Sequence, residues 1–144
     1  MTIILYEDKY KEDLKALVGE FFESILRVYS TEIDIDIVLK NVEANRQTVF
    51  LMLIDGKCEG ALGGITTSYT FNNTQVFQEM LFYVNEGYRY HIPKFIDGVQ
   101  RMLRGMGFKV MVMSYLHDFK SNGLLKLYER MGFKTIETHV MRNL

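Results

Sequence analysis

The chain has 144 residues, 48 % of them hydrophobic and 24 % charged, with a formal net charge of −1. That length suits one domain, 1–144, around one core, and the composition excludes a disordered chain. The charge balance gives no global pull towards nucleic acid or anionic membrane, and no apolar run reaches the roughly 18–20 residues of a membrane span.

The opening MTIILYEDKYKED lacks the basic start and long apolar centre of a signal peptide, so a cytoplasmic location is expected. A single cysteine, Cys58, excludes an internal disulfide and a cysteine-based metal cluster. Among apolar neighbours it reads either as packing or as a reactive thiol.

Residues 3–6 are a short apolar run, read as a first strand. From Lys9 the spacing changes: Leu14, Leu17, Val18, Phe21, Phe22, Ile25 and Leu26 recur at three and four, one face of an amphipathic helix. Ser30 and Thr31 stand as caps ahead of a second helical pattern, Ile35, Val38, Leu39 and Val42. Residues 48–54 are β-branched and apolar, hence a strand, and Asp55-Gly56 is a hairpin signal. The return strand runs from Lys57 to about Phe71, with Gly60, Gly63 and Gly64 indicating a bulge or a close backbone approach. Asn72-Asn73 reads as a second turn.

Residues 75–84 form a central strand, since Met80, Leu81, Phe82, Tyr83 and Val84 are apolar almost without alternation. A loop rich in Tyr and cations then leads to Pro93, which suits the first turn of a helix. Phe95, Ile96, Val99, Met102 and Leu103 form its apolar face. Gly98 would allow close approach to the sheet, and Gly105 and Gly107 end the helix. Residues 108–114 read as a strand and residues 122–131 as a helix with Leu124, Leu125, Leu127 and Tyr128 inward. Gly132 stops that helix, and residues 134–140 read as a last strand. The order is βααβββαβαβ, an α/β chain with a mixed sheet.

The central stretch has the makings of an anion site. A strand feeds a helix start, whose first N–H groups lack intrahelical partners, and Arg89, His91 and Lys94 add side-chain cations. His91 reads as a helix cap or a phosphate contact. His91, His117 and His139 have no metal-ligand spacing, so no metal is expected.

Three local patterns resemble the GCN5-related N-acetyltransferase (GNAT) family. The first is Leu127, Tyr128, Glu129, Arg130, Met131, Gly132 and Phe133, with Glu137 beyond. The second is an acid, Glu79, in the central strand. The third is Tyr88-Arg89, similar to the Tyr-Arg-Gly that opens that family's pyrophosphate loop. The likeness covers nearly the whole chain and extends to small phage-encoded members. After Arg89 the chain departs from the pattern: Tyr90, His91, Ile92, Pro93 and Lys94 stand where the family has a glycine-rich run. Glycines there let backbone N–H groups approach phosphate, and Pro93 offers none.

The resemblance implies a GNAT-like fold and acetyl-CoA as co-substrate. It implies Glu79 as the base that takes the acceptor amine's proton, against a plain strand glutamate. It implies Tyr128 as the acid for the departing thiolate, against a core tyrosine. CoA contacts would come from backbone near Tyr83 and Val84 and from Tyr88, Arg89, Tyr90, His91, Ile92, Lys94 and Phe95. Tyr69, Phe71, Phe77, Tyr83, Tyr88 and Tyr90 line an acceptor cleft or pack on the sheet. The acceptor would be a small-molecule or peptide amine, and the chain would pair as a homodimer. The competing readings are a catalytically silent binding or structural member, in a virion or host cytoplasm if phage-encoded, and a transferase acting on nucleic acid. The net charge argues against the last.

Overall fold

The computed structural model describes residues 1–24, 33–69, 71–115, 122–137, 140 and 142. They fall into two units, Met1–Ser114 and Tyr115–Leu144.

In the first unit the β-branched runs form one five-stranded sheet in the order β1 to β5. The strands are β1 (Thr2–Leu5), β2 (Val49–Ile54), β3 (Lys57–Ser68), β4 (Gln75–Val84) and β5 (Val110–Val112). Neighbours run antiparallel except β4 and β5, which are parallel. Helices α1 (Lys11–Ser24) and α2 (Ile35–Ala44) cover one face, where Leu14, Leu17, Leu39 and Val42 meet Val49, Leu51, Ala61 and Tyr83. Helix α3 (Ile92–Gly105) covers the other, with Phe95, Val99 and Leu103 against Phe50, Met52, Leu62 and Phe77. β2 is thus buried on both faces, which is why its sequence is an unbroken apolar run.

Local chemistry explains the ends of these elements. α2 starts where Asp34 Oδ1 accepts the N–H groups of Asp36 and Ile37 at 3.0 and 3.1 Å. The expected caps, Ser30 and Thr31, lie outside the described residues, as do Ile25 and Leu26. Asp55 and Gly56 both have positive φ, 49° and 80°, as a tight two-residue hairpin requires. At Gly98 an added Cβ would overlap the Ile3 side chain, so this glycine does let α3 approach β1 closely.

β3 carries an irregularity on each side. Met52 pairs with Gly60 but Leu53 with Cys58, so Glu59 is an extra residue on β3. The Cys58 N–H donates instead to Asp13 Oδ2 of α1 at 3.0 Å. Gly63 pairs with Leu81 but Gly64 with Glu79, so Met80 is an extra residue on β4. Here Gly64 has no room for a side chain: a Cβ would lie 2.5 Å from the Phe77 ring and 2.6 Å from the Gln78 carbonyl. The Gly64 carbonyl accepts the Thr48 hydroxyl at 2.6 Å.

α3 ends in a Schellman motif. The Phe108 N–H donates to the Leu103 carbonyl at 3.0 Å and the Gly107 N–H to Arg104 at 3.1 Å, with Gly107 at φ 95°. Phe108 belongs to this helix end, so β5 begins at Val110 and is shorter than the expected 108–114.

In the second unit, α4 (Asn122–Arg130) ends the same way. The Phe133 N–H donates to the Tyr128 carbonyl and the Gly132 N–H to Glu129, both at 3.0 Å, with Gly132 at φ 86°. The Phe133 ring packs on Tyr128, with centroids 5.3 Å apart. The expected last strand, 134–140, is not found among the described residues 134–137 and 140, and Thr138 and His139 lie outside them.

Candidate active site

The β4–β5 ladder is short. It pairs Val76 with Val110, Phe77 with Met111 and Gln78 with Val112, and stops. From Glu79 to Val84, β4 has no strand partner on that edge among the described residues. At the break, Glu79 Oε2 accepts the backbone N–H of Ser114 at 2.9 Å. A carboxylate thus takes over a donor that the ladder no longer serves. Burial pushes the Glu79 carboxyl above its usual value, and the Ser114 hydrogen bonds pull it back only in part. A raised pKa makes the ionised carboxylate a stronger base, which suits proton abstraction near neutral pH.

At its far end β4 runs through Asn85 into a 3₁₀ turn, Glu86–His91, and then directly into α3. The strand, turn and helix therefore bring Tyr83, Val84, Tyr88, Arg89, Tyr90, His91, Ile92, Lys94 and Phe95 together as one continuous stretch. Their side chains divide sharply. Tyr83 is in the core with its ring 5.4 Å from Phe21, and Val84 and Phe95 are buried on the α3 face, so these three can offer a ligand only backbone. Tyr88 and Ile92 are half-buried against the same cluster. Arg89, Tyr90 and Lys94 are exposed.

Arg89 is fixed at its base. Its Nε donates to the Val84 carbonyl at 3.3 Å, and its guanidinium lies 5.9 Å from the Tyr83 ring centroid. His91 occupies the N-cap position of α3 but makes no side-chain cap hydrogen bond, which corrects the capping expectation. Its ring lies 4.2 Å from that of Tyr90 instead.

The missing glycines have a physical account. Among the described residues, positive φ outside glycine occurs at Asp55 and Asn73 alone, so Tyr90, His91 and Ile92 carry side chains without backbone strain. Backbone donors are nevertheless few. The Ile92 N–H is taken by the Arg89 carbonyl, and Pro93 has none. Side-chain cations are the stronger feature of this turn.

The expected acceptor-cleft aromatics separate as well. Phe77 and Tyr83 are core, whereas Tyr69, Phe71 and Tyr90 are exposed. Met111 and Met113 pack partly buried on the α3 face. Cys58 is buried, its thiol pushed up to about 12 mainly by burial, which fits packing rather than reactivity. Among the described residues no His, Cys, Asp and Glu group has the makings of a metal site, and no helix is long and apolar enough to cross a membrane. Tyr128, in the second unit, is buried on α4.

Two relevant residues escaped the sequence reading. Glu59 is buried and binds Asn85, the residue between β4 and the turn. The available signal was a lone charge, Glu59, in the otherwise uncharged run from Cys58 to Gly64.

No protein-family model matches the chain, and neither does any curated protein. Solved structures do. A probable acetyltransferase superposes with a TM-score of 0.76 at 18 % identity, covering 100 % of this chain and 97 % of its own. A ribosomal-protein-alanine N-acetyltransferase from Brucella melitensis biovar Abortus 2308 gives 0.76 at 16 % identity, covering 99 % of this chain and 100 % of its own. AAC(6')-Iy, in complex with the bisubstrate analogue CoA-S-monomethyl-acetylneamine, gives 0.75 at 17 % identity over 99 % of this chain and 97 % of its own. At these identities the likeness establishes the fold, a mixed α/β acetyltransferase-type architecture.

Proposed function

We propose that the chain is an N-acetyltransferase that moves the acetyl group of acetyl-CoA to an amine. The observation that carries this reading is Glu79: a carboxylate of raised pKa, placed where β5 leaves β4. The shared fold supports it, and so does a neighbour solved with a CoA-based bisubstrate analogue.

In this reading the edge of β4 beyond its pairing with β5 meets the amides of the acyl-CoA arm, and the turn after Val84 meets its phosphates through Arg89 and Lys94. Glu79 takes the proton of the acceptor amine directly or through a water. The amine lone pair attacks the thioester carbonyl, the new C–N bond forms, and the C–S bond breaks. Tyr128 is assigned the proton for the departing thiolate on the resemblance of its Leu-Tyr-Glu setting alone. A phenol is protonated at neutral pH and able to donate. Neighbours described as a ribosomal-protein-alanine N-acetyltransferase and as aminoglycoside acetyltransferases support an amine on a peptide or a small molecule as acceptor.

A second reading, a catalytically silent binding module of the same fold, is favoured by one observation. The α3 start is short of donors, with the Ile92 N–H already bonded and Pro93 lacking one. Calorimetric titration with acetyl-CoA separates the two readings. Binding, followed by acetyl transfer to a panel of primary amines that Glu79→Gln abolishes, supports the enzyme. No measurable heat at millimolar acetyl-CoA moves the assignment to the silent module.

A further inference from the structure

We propose that Glu59 is a positioning residue for the phosphate-binding turn and acts through Asn85; this rests on the acetyl-CoA reading above. Glu59 is the extra residue of β3 and is only 6 % exposed. Asn85 is the first residue after β4 and immediately precedes the turn Glu86–His91. The two residues are joined twice. The Asn85 N–H donates to the Glu59 carbonyl at 2.9 Å, and Asn85 Nδ2 donates to Glu59 Oε2 at 2.5 Å. Since Gly60 pairs with Val84, this is the next rung of the β3–β4 register, with a side-chain bond added.

The grip passes into the turn. The Asn85 carbonyl accepts the Tyr88 N–H at 2.9 Å, and the Arg89 carbonyl then accepts the Ile92 N–H that opens α3. Where Asn85 sits therefore sets where the turn begins, and with it the origin of the Arg89 and Lys94 side chains.

Two features are hard to explain as stability alone. A buried carboxylate is costly to desolvate, and its cation here, Lys57, is distant at 3.8 Å and exposed. The carboxylate also fixes the Asn85 amide with its NH2 towards Glu59. Among the described residues, Asn85 Oδ1 is then buried without a hydrogen-bond partner. An arrangement that leaves an acceptor unsatisfied in order to hold an amide in one orientation is expected where geometry matters more than stability.

The test measures two things on the whole protein: amide hydrogen exchange at Tyr88 and Ile92 without ligand, and the Kd for CoA. The variants are Glu59→Ala, Glu59→Gln and Asn85→Ala, the last keeping the backbone rung if Glu59→Ala fails to fold. Glu59→Ala and Asn85→Ala should speed exchange in the turn and weaken CoA binding about ten- to a hundredfold, the range for losing a hydrogen bond to a charged group. Glu59→Gln keeps an acceptor for Asn85 Nδ2 and should restore most of both. Unchanged exchange in the turn, or faster exchange with unchanged CoA affinity, overturns the proposal. If the wild-type protein binds no CoA, the acetyl-CoA reading fails. Faster exchange in the variants would then still uphold the hold of Glu59 on the turn.

Discussion

Glu79 accepts the Ser114 backbone N–H at 2.9 Å, one step past the last rung between β4 and β5. One carboxylate therefore both secures the departing strand and carries the basicity the proposed chemistry needs. The double duty yields a separation of function from stability. Burial raises the Glu79 pKa in the folded state, so the group's contribution to stability is full below its unfolded pKa and is lost as pH rises through the folded value.

Glu79→Gln should accordingly melt no lower than wild type at neutral pH, since glutamine still accepts from Ser114 and needs no charge desolvated. Its advantage should shrink as pH falls and the wild-type carboxyl protonates. Turnover should drop about a hundred- to ten-thousand-fold. In wild type, kcat/KM should fall on the acid side with a midpoint above the ordinary glutamate value of 4.5. Melting curves and kcat/KM profiles against pH check both halves, and a Gln variant of full activity would remove Glu79 as base.

Tyr128→Phe keeps the ring that packs on Phe133, so the fold should be retained. If the phenol is the acid, single-turnover acetyl transfer should slow by about a hundred- to ten-thousand-fold. Tyr128→Ala should instead cost about 3–5 kcal/mol through the cavity it leaves, whichever role the residue has. A Phe variant with wild-type single-turnover rates would assign Tyr128 to packing.

Lys94→Ala should weaken CoA binding while leaving an acyl-pantetheine fragment without the nucleotide unaffected. The expected loss is about tenfold or more, because a charge-assisted contact to phosphate disappears. Its salt dependence should fall in parallel. Arg89→Ala should do the same and also lower stability, since Arg89 holds the Val84 carbonyl. Equal loss for CoA and the fragment would place the phosphates elsewhere.

Gly64→Ala should destabilise the first unit by about 1–3 kcal/mol or more, as overpacking does when the obstacle is backbone. The obstacle here is the Gln78 carbonyl, which cannot rotate away as a side chain would. Urea unfolding would measure the effect, and a neutral result would mean that the strands reseat at no cost.

Much of this fold was legible because local chemistry and tertiary placement agree. Asp55-Gly56 made its hairpin, and Pro93 opened α3. The apolar run of β4 came out as a strand paired with β3, but β5 pairs only with Val76, Phe77 and Gln78 ahead of it, so among the described residues the run itself has no strand on its other edge. The pattern around Tyr128 was legible for a reason distinct from catalysis. Met106-Gly107-Phe108 and Met131-Gly132-Phe133 close two helices with the same hydrogen bonds, so much of that pattern is a helix-ending device. The candidate turn was readable because it is contiguous. The Glu59–Asn85 bond was not, since the partners stand 26 residues apart and meet through strand register. Glycines signalled irregular pairing in β3, but the extra residues proved to be Glu59 and Met80, which no propensity marks.

Met80 also acts as a parity switch. Below it the odd-numbered Phe77 faces α3, and above it the even-numbered Phe82 and Val84 do. Glu79 follows the phase of Phe77, while Leu81 and Tyr83 belong to the opposite layer. The site thus depends on the count of residues in β4 and not on the identity of residue 80, whose side chain is 41 % exposed. Almost any substitution there should pass unnoticed. Removing the residue would turn Phe77 and Glu79 through the sheet together, carrying the carboxylate away from Ser114 while every side chain in the strand kept its name.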